Sequence, residues 1–247
     1  MVQTNPRPAR RPKSQSTKSQ STHLNRNKPK HYPFNHLKAV RHLTGCDPRF
    51  ADLISRVGRF RMEMDEHPTP YAALFEAIQY QQLAGKAAAA ILKKVKDRIG
   101  GGDFPTPTQM LAASDEDLRA AGLSRQKMAA LRDLAAKTVE GVVPGMEEIE
   151  QLTDEEIITR LTAVRGVGAW TVHMFLIFRL GRPDILPTLD YGVQQGFKLA
   201  YNKRKLPKPE ALAAFGEKWK PYRSVASWYL WQAVHLHRTQ KVNPKAK

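Results

Sequence analysis

The stretch Leu161-Thr-Ala-Val-Arg-Gly-Val-Gly-Ala-Trp-Thr171 reads as helix, tight turn, helix. Gly166 and Gly168 flank Val167, whose side chain can pin the turn against a core. Glycine admits the positive φ that such a turn needs and keeps side chains off the path of approach. The amides of Arg165, Gly166, Val167, Gly168 and Ala169 then point outward, with the dipole of the second helix behind them. Unpaired N–H groups so placed make an anion site, suited to a phosphate held through backbone without base reading. An ordinary αα-turn, needing glycine for geometry alone, has the same pattern, so the rest of the chain must decide.

Outward from this turn the periodicity is helical. Tyr71, Leu74, Phe75 and Ile78, then Ile91, Leu92 and Val95, recur at i, i+3, i+4, i+7, and the run Ala87-Ala-Ala-Ala90 favours helix. Ser114-Asp-Glu-Asp117 predicts a capped helix ending at Gly122. Ser124 predicts a second cap, for a helix to about Val139 with Met128, Leu131, Leu134 and Ala135 on one face. Thr153-Asp-Glu-Glu156 opens another, carrying Ile157, Ile158 and Leu161. Residues 169–180 are apolar on almost every face, which predicts a central buried helix. After a Pro-rich turn at 180–188, helices near 190–200, 209–219 and 222–237 complete the chain. No strong β-hairpin signal interrupts them, so the predicted class is all-α.

The chain has 247 residues, enough for one large domain or two small ones, and 41% are hydrophobic, enough for a real core. No apolar run approaches a membrane span and no apolar segment follows Met1, which disfavours membrane and secreted readings. The lone Cys46 excludes an internal disulfide, a Cys-rich zinc site and a four-cysteine iron–sulfur cluster, and fits a reducing compartment. Net charge is +17. Residues 1–33 hold eight Lys or Arg and no acid, and repeat KSQST at 13–17 and 18–22; they read as a disordered basic tail. The remainder still carries 32 basic against 23 acidic residues, so a polyanion is the natural partner of the body itself.

Four further segments, in order, give the turn its context. They are Tyr80-Gln-Gln-Leu-Ala-Gly-Lys-Ala-Ala88; Phe104-Pro-Thr-Pro with Ala121-Gly-Leu-Ser-Arg-Gln-Lys127; Leu186-Pro-Thr-Leu-Asp-Tyr-Gly-Val193; and Trp219-Lys-Pro-Tyr-Arg-Ser-Val-Ala-Ser-Trp-Tyr-Leu-Trp231. With 161–180 they resemble the helix-hairpin-helix superfamily of DNA glycosylases, over roughly residues 34–238, and most nearly its 3-methyladenine DNA glycosylase II branch. The resemblance implies a bilobal all-α fold with an interlobe cleft: residues 34–70 and 187–247 in one lobe, residues 71–186, hairpin included, in the other. It implies a monomer that acts on alkylated bases in double-stranded DNA, nucleoid-associated in a bacterial cytoplasm or nuclear in a eukaryote, without cofactor or catalytic metal. At most a monovalent cation would bridge the hairpin to a DNA phosphate.

The site residues follow from the same resemblance. By position alone Asp190 is a helix N-cap; the resemblance makes it the catalytic carboxylate, which suits the oxocarbenium character that builds on deoxyribose as an N-glycosidic bond breaks. Trp170 stands where bifunctional members carry a Schiff-base lysine, which implies base release without strand cleavage. Trp170, Trp231 and Met174, the last where some relatives have tyrosine, are the expected base pocket, core packing being the plainer reading of the tryptophans. Gln82, with Leu83 as runner-up, would fill the gap left by the extruded nucleotide, although a polar pair on a solvated helix end looks the same. Ser124 and Lys127, at a second helix–turn–helix joint, are either phosphate contacts or a surface cap. Two rivals stay open: a DNA-binding protein of this fold without catalysis, and an oxidised-base or mismatch glycosylase. His173 reads as core, and His235 and His237, two apart, make a poor metal pair.

Overall fold

Capping chemistry sets most helix starts in the computed structural model, which describes residues 32–242, with side chains through residue 240. Asn35 caps α1 (His36–Cys46), and Asp47, followed by Pro48 at the first helical position, caps α2 (Pro48–Val57). Thr69 and Pro70 repeat that pairing for α3 (Pro70–Tyr80), while α4 (Gly85–Ile99) starts without a side-chain cap. A reciprocal Thr106–Gln109 box opens α5 (Pro107–Ala112), and Ser114 caps α6 (Asp115–Ala120). Ser124 caps α7 (Arg125–Val139), the short α8 (Met146–Ile149) follows, and a Thr153–Glu156 box opens α9 (Asp154–Thr162). Beyond the turn, α10 (Ala169–Met174) runs on as a π-helical turn, Phe175–Arg179. Then come α11 (Tyr191–Ala200), α12 (Pro209–Gly216) with a 3-10 turn at Glu217–Trp219, and α13 (Arg223–Val242). No strand occurs among the described residues.

Helix packing falls into two groups. In one, α11 lies along α13, which also packs on α2 and α1; in the other, α7 packs on α3 and α5, α3 on α4, and α10 on α9. The buried side chains of both groups form one continuous cluster. Trp219 and Tyr229, fully buried, meet Phe50 at 5.3 and 6.3 Å between ring centroids, so these aromatics serve the core, each worth about 1.5–3 kcal/mol by burial. Most of the basic tail falls on residues 1–31, outside the described residues. Its last two residues belong to the body: the Tyr32 hydroxyl donates to the Met62 carbonyl (2.8 Å), and Pro33 sits within 2.6 Å of where a side chain at Gly181 would begin.

The Pro-rich connection before Asp190 is tied down from several sides. Arg223 forms a two-point ion pair with Asp184 (2.8 and 3.0 Å), and Ser224, fully buried, donates to the Arg182 carbonyl and accepts from the Ile185 amide. Arg182 reaches the Leu152 carbonyl at 2.8 Å. The segment delivering Asp190 is therefore anchored to the start of α13 and to the loop before α9.

Candidate active site

Asp190 is both N-cap and the centre of a hydrogen-bonded cluster. Its Oδ1 accepts from the Val193 amide (2.7 Å) and from Trp231 Nε1 (2.8 Å), and its Oδ2 accepts from Trp170 Nε1 (2.8 Å). An ionised carboxylate offers about four acceptor positions, so three are filled and the group is held in one orientation. The approach of Trp231 depends on Gly192: a Cβ there would lie 2.7 Å from Trp231 Cδ1 and 3.0 Å from Asp190 Oδ1. One turn on, a Cβ at Gly196 would come within 2.0 Å of the Leu230 carbonyl oxygen. This pair of glycines on one face of α11 lets α13 close in until the Trp231 indole reaches the carboxylate.

Trp170, half exposed on α10, joins Asp190 to a cavity of about 580 Å³. Trp170, Thr171, Met174, Phe175 and Phe178 line one wall; Ala73, Leu74, Ala77 and Tyr80 of α3 line another, with Gln81, Gln82 and Asp65 completing the lining. The volume and the apolar and aromatic walls suit a flat heterocycle. Two of the three expected base-pocket residues, Trp170 and Met174, are therefore on the cavity. Trp231 is not: its indole stacks on Phe178 (5.6 Å, 26°) and turns its N–H to Asp190, so it holds the carboxylate and backs the wall. Phe178 faces the cavity from the π-helical turn, where an ordinary α-helix had been expected.

Gln82 carries a positive φ of 58°, uncommon for a residue with a side chain. Gln81 before it has φ −57° and ψ 132°, and the Leu83 amide reaches the Tyr80 carbonyl at 3.4 Å. That is a tight turn with Gln82 in the seat glycine usually takes, at a cost of about 1–2 kcal/mol. It leaves the Gln82 side chain exposed on the rim of the cavity. Leu83 lines instead a second groove of about 380 Å³, shared with Gln82, Ser124, Lys127, Arg165 and Gly166. Gln81 faces both spaces and fastens the turn to the hairpin by donating from Nε2 to the Gly166 carbonyl (2.9 Å).

The hairpin has fewer free donors than the sequence promised. Gly166 takes φ 81° and Val167 is buried, as expected of the turn and its pin. The Arg165 amide, however, donates to Asp133 Oδ2 (2.7 Å) and the Val167 amide to the Val164 carbonyl (3.0 Å). The amides of Gly166, Gly168 and Ala169 have no hydrogen bond among the described residues, and Gly168 faces open space. At the second joint, Ser124 spends its hydroxyl on the Lys127 amide as the cap of α7. Lys127 turns its ammonium inward to the Gln79 carbonyl at the end of α3, and burial lowers its pKa. Of the two readings left open for this joint, Ser124 shows the cap, and Lys127 ties α7 to the end of α3. Among the described residues no group of three His, Cys, Asp or Glu could hold a metal, and one turn carbonyl is already engaged by Gln81.

A profile of the HhH-GPD superfamily, base excision DNA repair proteins, matches residues 75–221. The chain belongs to that superfamily. DNA-3-methyladenine glycosylase 1 of Schizosaccharomyces pombe is 38% identical over 210 residues, 84% of this chain and 92% of the relative. The structure of the 3-methyladenine DNA glycosylase of that yeast in complex with abasic DNA superposes with a TM-score of 0.70 at 37% identity, covering 85% of this chain and all of that one. A DNA-3-methyladenine glycosidase from Bacillus halodurans superposes with a TM-score of 0.75 at 33% identity, covering 82% and 91%. The all-α HhH-GPD fold is thus the fold of this chain.

Within this HhH-GPD frame, sequence reasoning missed Asp65, Gln81, Phe178 and Gly192. Gly192 and Gly196, four apart on α11, were the one available signal, a small-residue face announcing close helix contact. His173, on α10, is partly buried, and burial lowers its pKa; it does not line the cavity. No helix among the described residues is long and apolar enough to cross a membrane.

Proposed function

We propose that this chain is a monofunctional DNA glycosylase that extrudes an alkylated purine from double-stranded DNA and hydrolyses its N-glycosidic bond, leaving an abasic site. The observation carrying this reading is the fixation of Asp190 by two indole N–H groups and a cap amide, beside a cavity of purine size. The free amides of the hairpin hold a phosphate of the damaged strand, and Gln82 wedges into the gap from its strained turn. With the base in the cavity, Asp190 stabilises the cation developing on the sugar and orients the attacking water. The C1′–N bond breaks, its electron pair leaves with the purine and neutralises the purine's charge, water oxygen bonds to C1′, and the water proton passes to Asp190 or solvent. A cationic purine needs no general acid to depart, so one aspartate suffices.

Asp190→Asn tests this on duplexes bearing 7-methylguanine. Base release should fall by about a hundred- to a thousandfold or more while duplex affinity stays within a few fold. Unchanged release by the variant refutes the role of Asp190. A covalent enzyme–DNA adduct trapped by borohydride refutes the monofunctional reading.

A further inference from the structure

One charged group in the base cavity has no part in the chemistry above. The cavity wall is apolar along Ala73, Leu74, Ala77, Met174, Phe175 and Phe178, yet Asp65 is also among its lining residues. The Asp65 amide donates to the Phe178 carbonyl (2.7 Å), tying this residue to the π-helical turn that supplies Phe178. Asp65 Oδ1 accepts from the His67 amide (2.8 Å) and bonds to His67 Nδ1, while His67 Nε2 bonds to Glu76 Oε2 of α3 at 2.7 Å. An imidazole held by a carboxylate at each nitrogen is held as a two-proton donor. Asp65 Oδ2 has no hydrogen bond among the described residues. Burial pushes the Asp65 carboxyl up, but the His67 hydrogen bonds, with help from the charges of His67 and Arg179, hold it below the ordinary aspartate value. The side chain is about one-quarter exposed, so it is neither sealed away nor freely solvated.

We infer that Asp65 is the group by which this site prefers a positively charged purine to a neutral one. The inference rests on the glycosylase reading and deepens it. Alkylation at N3 or N7 of a purine leaves a formal positive charge on the base; deamination or formation of an etheno ring leaves the base neutral. A fixed anion in a largely apolar cavity attracts the first class by charge and offers the second no such attraction. The timing of the charge limits what Asp65 can do. Positive charge leaves the base only as the glycosidic bond breaks, so while that bond is partial Asp65 favours the extruded base and the transition state alike. Its effect belongs in KM, whereas that of Asp190 belongs in kcat.

The experiment uses the full chain, its Asp65→Asn and Asp65→Glu variants, and two matched duplexes, one with 7-methylguanine and one with hypoxanthine. Asp65→Asn keeps the shape and removes the charge. Its kcat/KM on 7-methylguanine should fall about tenfold, through KM, while hypoxanthine release changes less than about twofold. Asp65→Glu should retain most of the preference for the charged base. Comparing two substrates on one preparation cancels any difference in folded fraction. Equal losses on both duplexes, a loss confined to kcat, or no loss overturns the inference and leaves Asp65 as a fastener for His67. Should Asp65→Asn not fold, loss of the preference in Asp65→Glu overturns it equally. Release of neither base by the unaltered chain would instead overturn the glycosylase reading, and this inference with it.

Discussion

Asp65 lines the cavity and Asp190 is joined to it through Trp170, and the two carboxylates are held by different means. Asp190 is held by neutral donors, two indoles and a backbone amide, and it caps a helix that starts at the next residue. Asp65 is held by an imidazole clamped between two carboxylates, in a segment between helices. Neutral donors fix direction without cancelling charge, which suits a carboxylate that must meet a cation forming on the sugar. An ionic clamp keeps the second carboxylate charged against the desolvation of an apolar cavity, which suits recognition of a charge already present. Two aspartates in one fold are thus suited to different tasks because their partners differ.

The strongest way to break the Asp190 side, short of removing the carboxylate, is through its neighbour. Gly192→Ala should push Trp231 off Asp190 and lower base release by about ten- to a hundredfold, with a stability cost of about 1–3 kcal/mol. Single-turnover kinetics alongside thermal unfolding checks it; release at the unaltered rate would show that the Trp231 bond does not position the carboxylate.

Gln82→Gly touches neither carboxylate and so serves as the control. It removes the wedge and relieves the positive φ. Release should fall several fold while stability is unchanged or rises by up to about 1 kcal/mol. A fall in stability would mean that the Gln82 side chain contributes packing as well as strain.

The smallest effect isolates the Asp65 side. Hydrogen bonding to Asp65 above all, offset in part by burial and reinforced by Glu76, raises the His67 pKa. A raised folded value means that the stability due to His67 is fully present below its unfolded pKa, about 6.5, and is lost as pH rises through the folded value. The lowered Asp65 value acts oppositely: its contribution is present above about 3.9 and is lost as pH falls through the folded value. His67→Asn should therefore flatten the decline in unfolding free energy as pH rises above about 6.5. An unchanged pH profile would mean that the clamp stores no protonation energy.

Much of the fold was legible because it was local. Ser114, Ser124 and Thr153 each accept a hydrogen bond from the amide three residues on, and the helices begin where those caps place them. Asp190 was legible twice over, as a cap after a Pro-containing turn and by the string around it. The cavity lining was legible in part. Trp170 and Met174 are spaced as one face of a helix that proves to line the cavity. Trp231 matched the same pattern but serves Asp190, because which side of an indole meets a cavity depends on how α13 is docked. The hairpin donors were overcounted for the same reason. Asp133, 32 residues from Arg165 in the chain, claims that amide, and no reading of 161–171 alone contains it.

Asp65 shows where local reading ends. Its neighbourhood, Glu63-Met-Asp-Glu66, has the composition of a solvated linker, and its place in an apolar cavity arises only when α3 and the π-helical turn close around it.

By itself, the order of residues determined the helices, their caps, the glycine turn and the single aspartate after Leu189, since each depends on neighbours within one or two turns. Tertiary structure decided which donors the hairpin keeps, which way Trp231 faces, and that Asp65 lines the cavity. Those outcomes depend on contacts between segments far apart in the chain, where burial sets both the partners of a charge and the energy of leaving it unpaired.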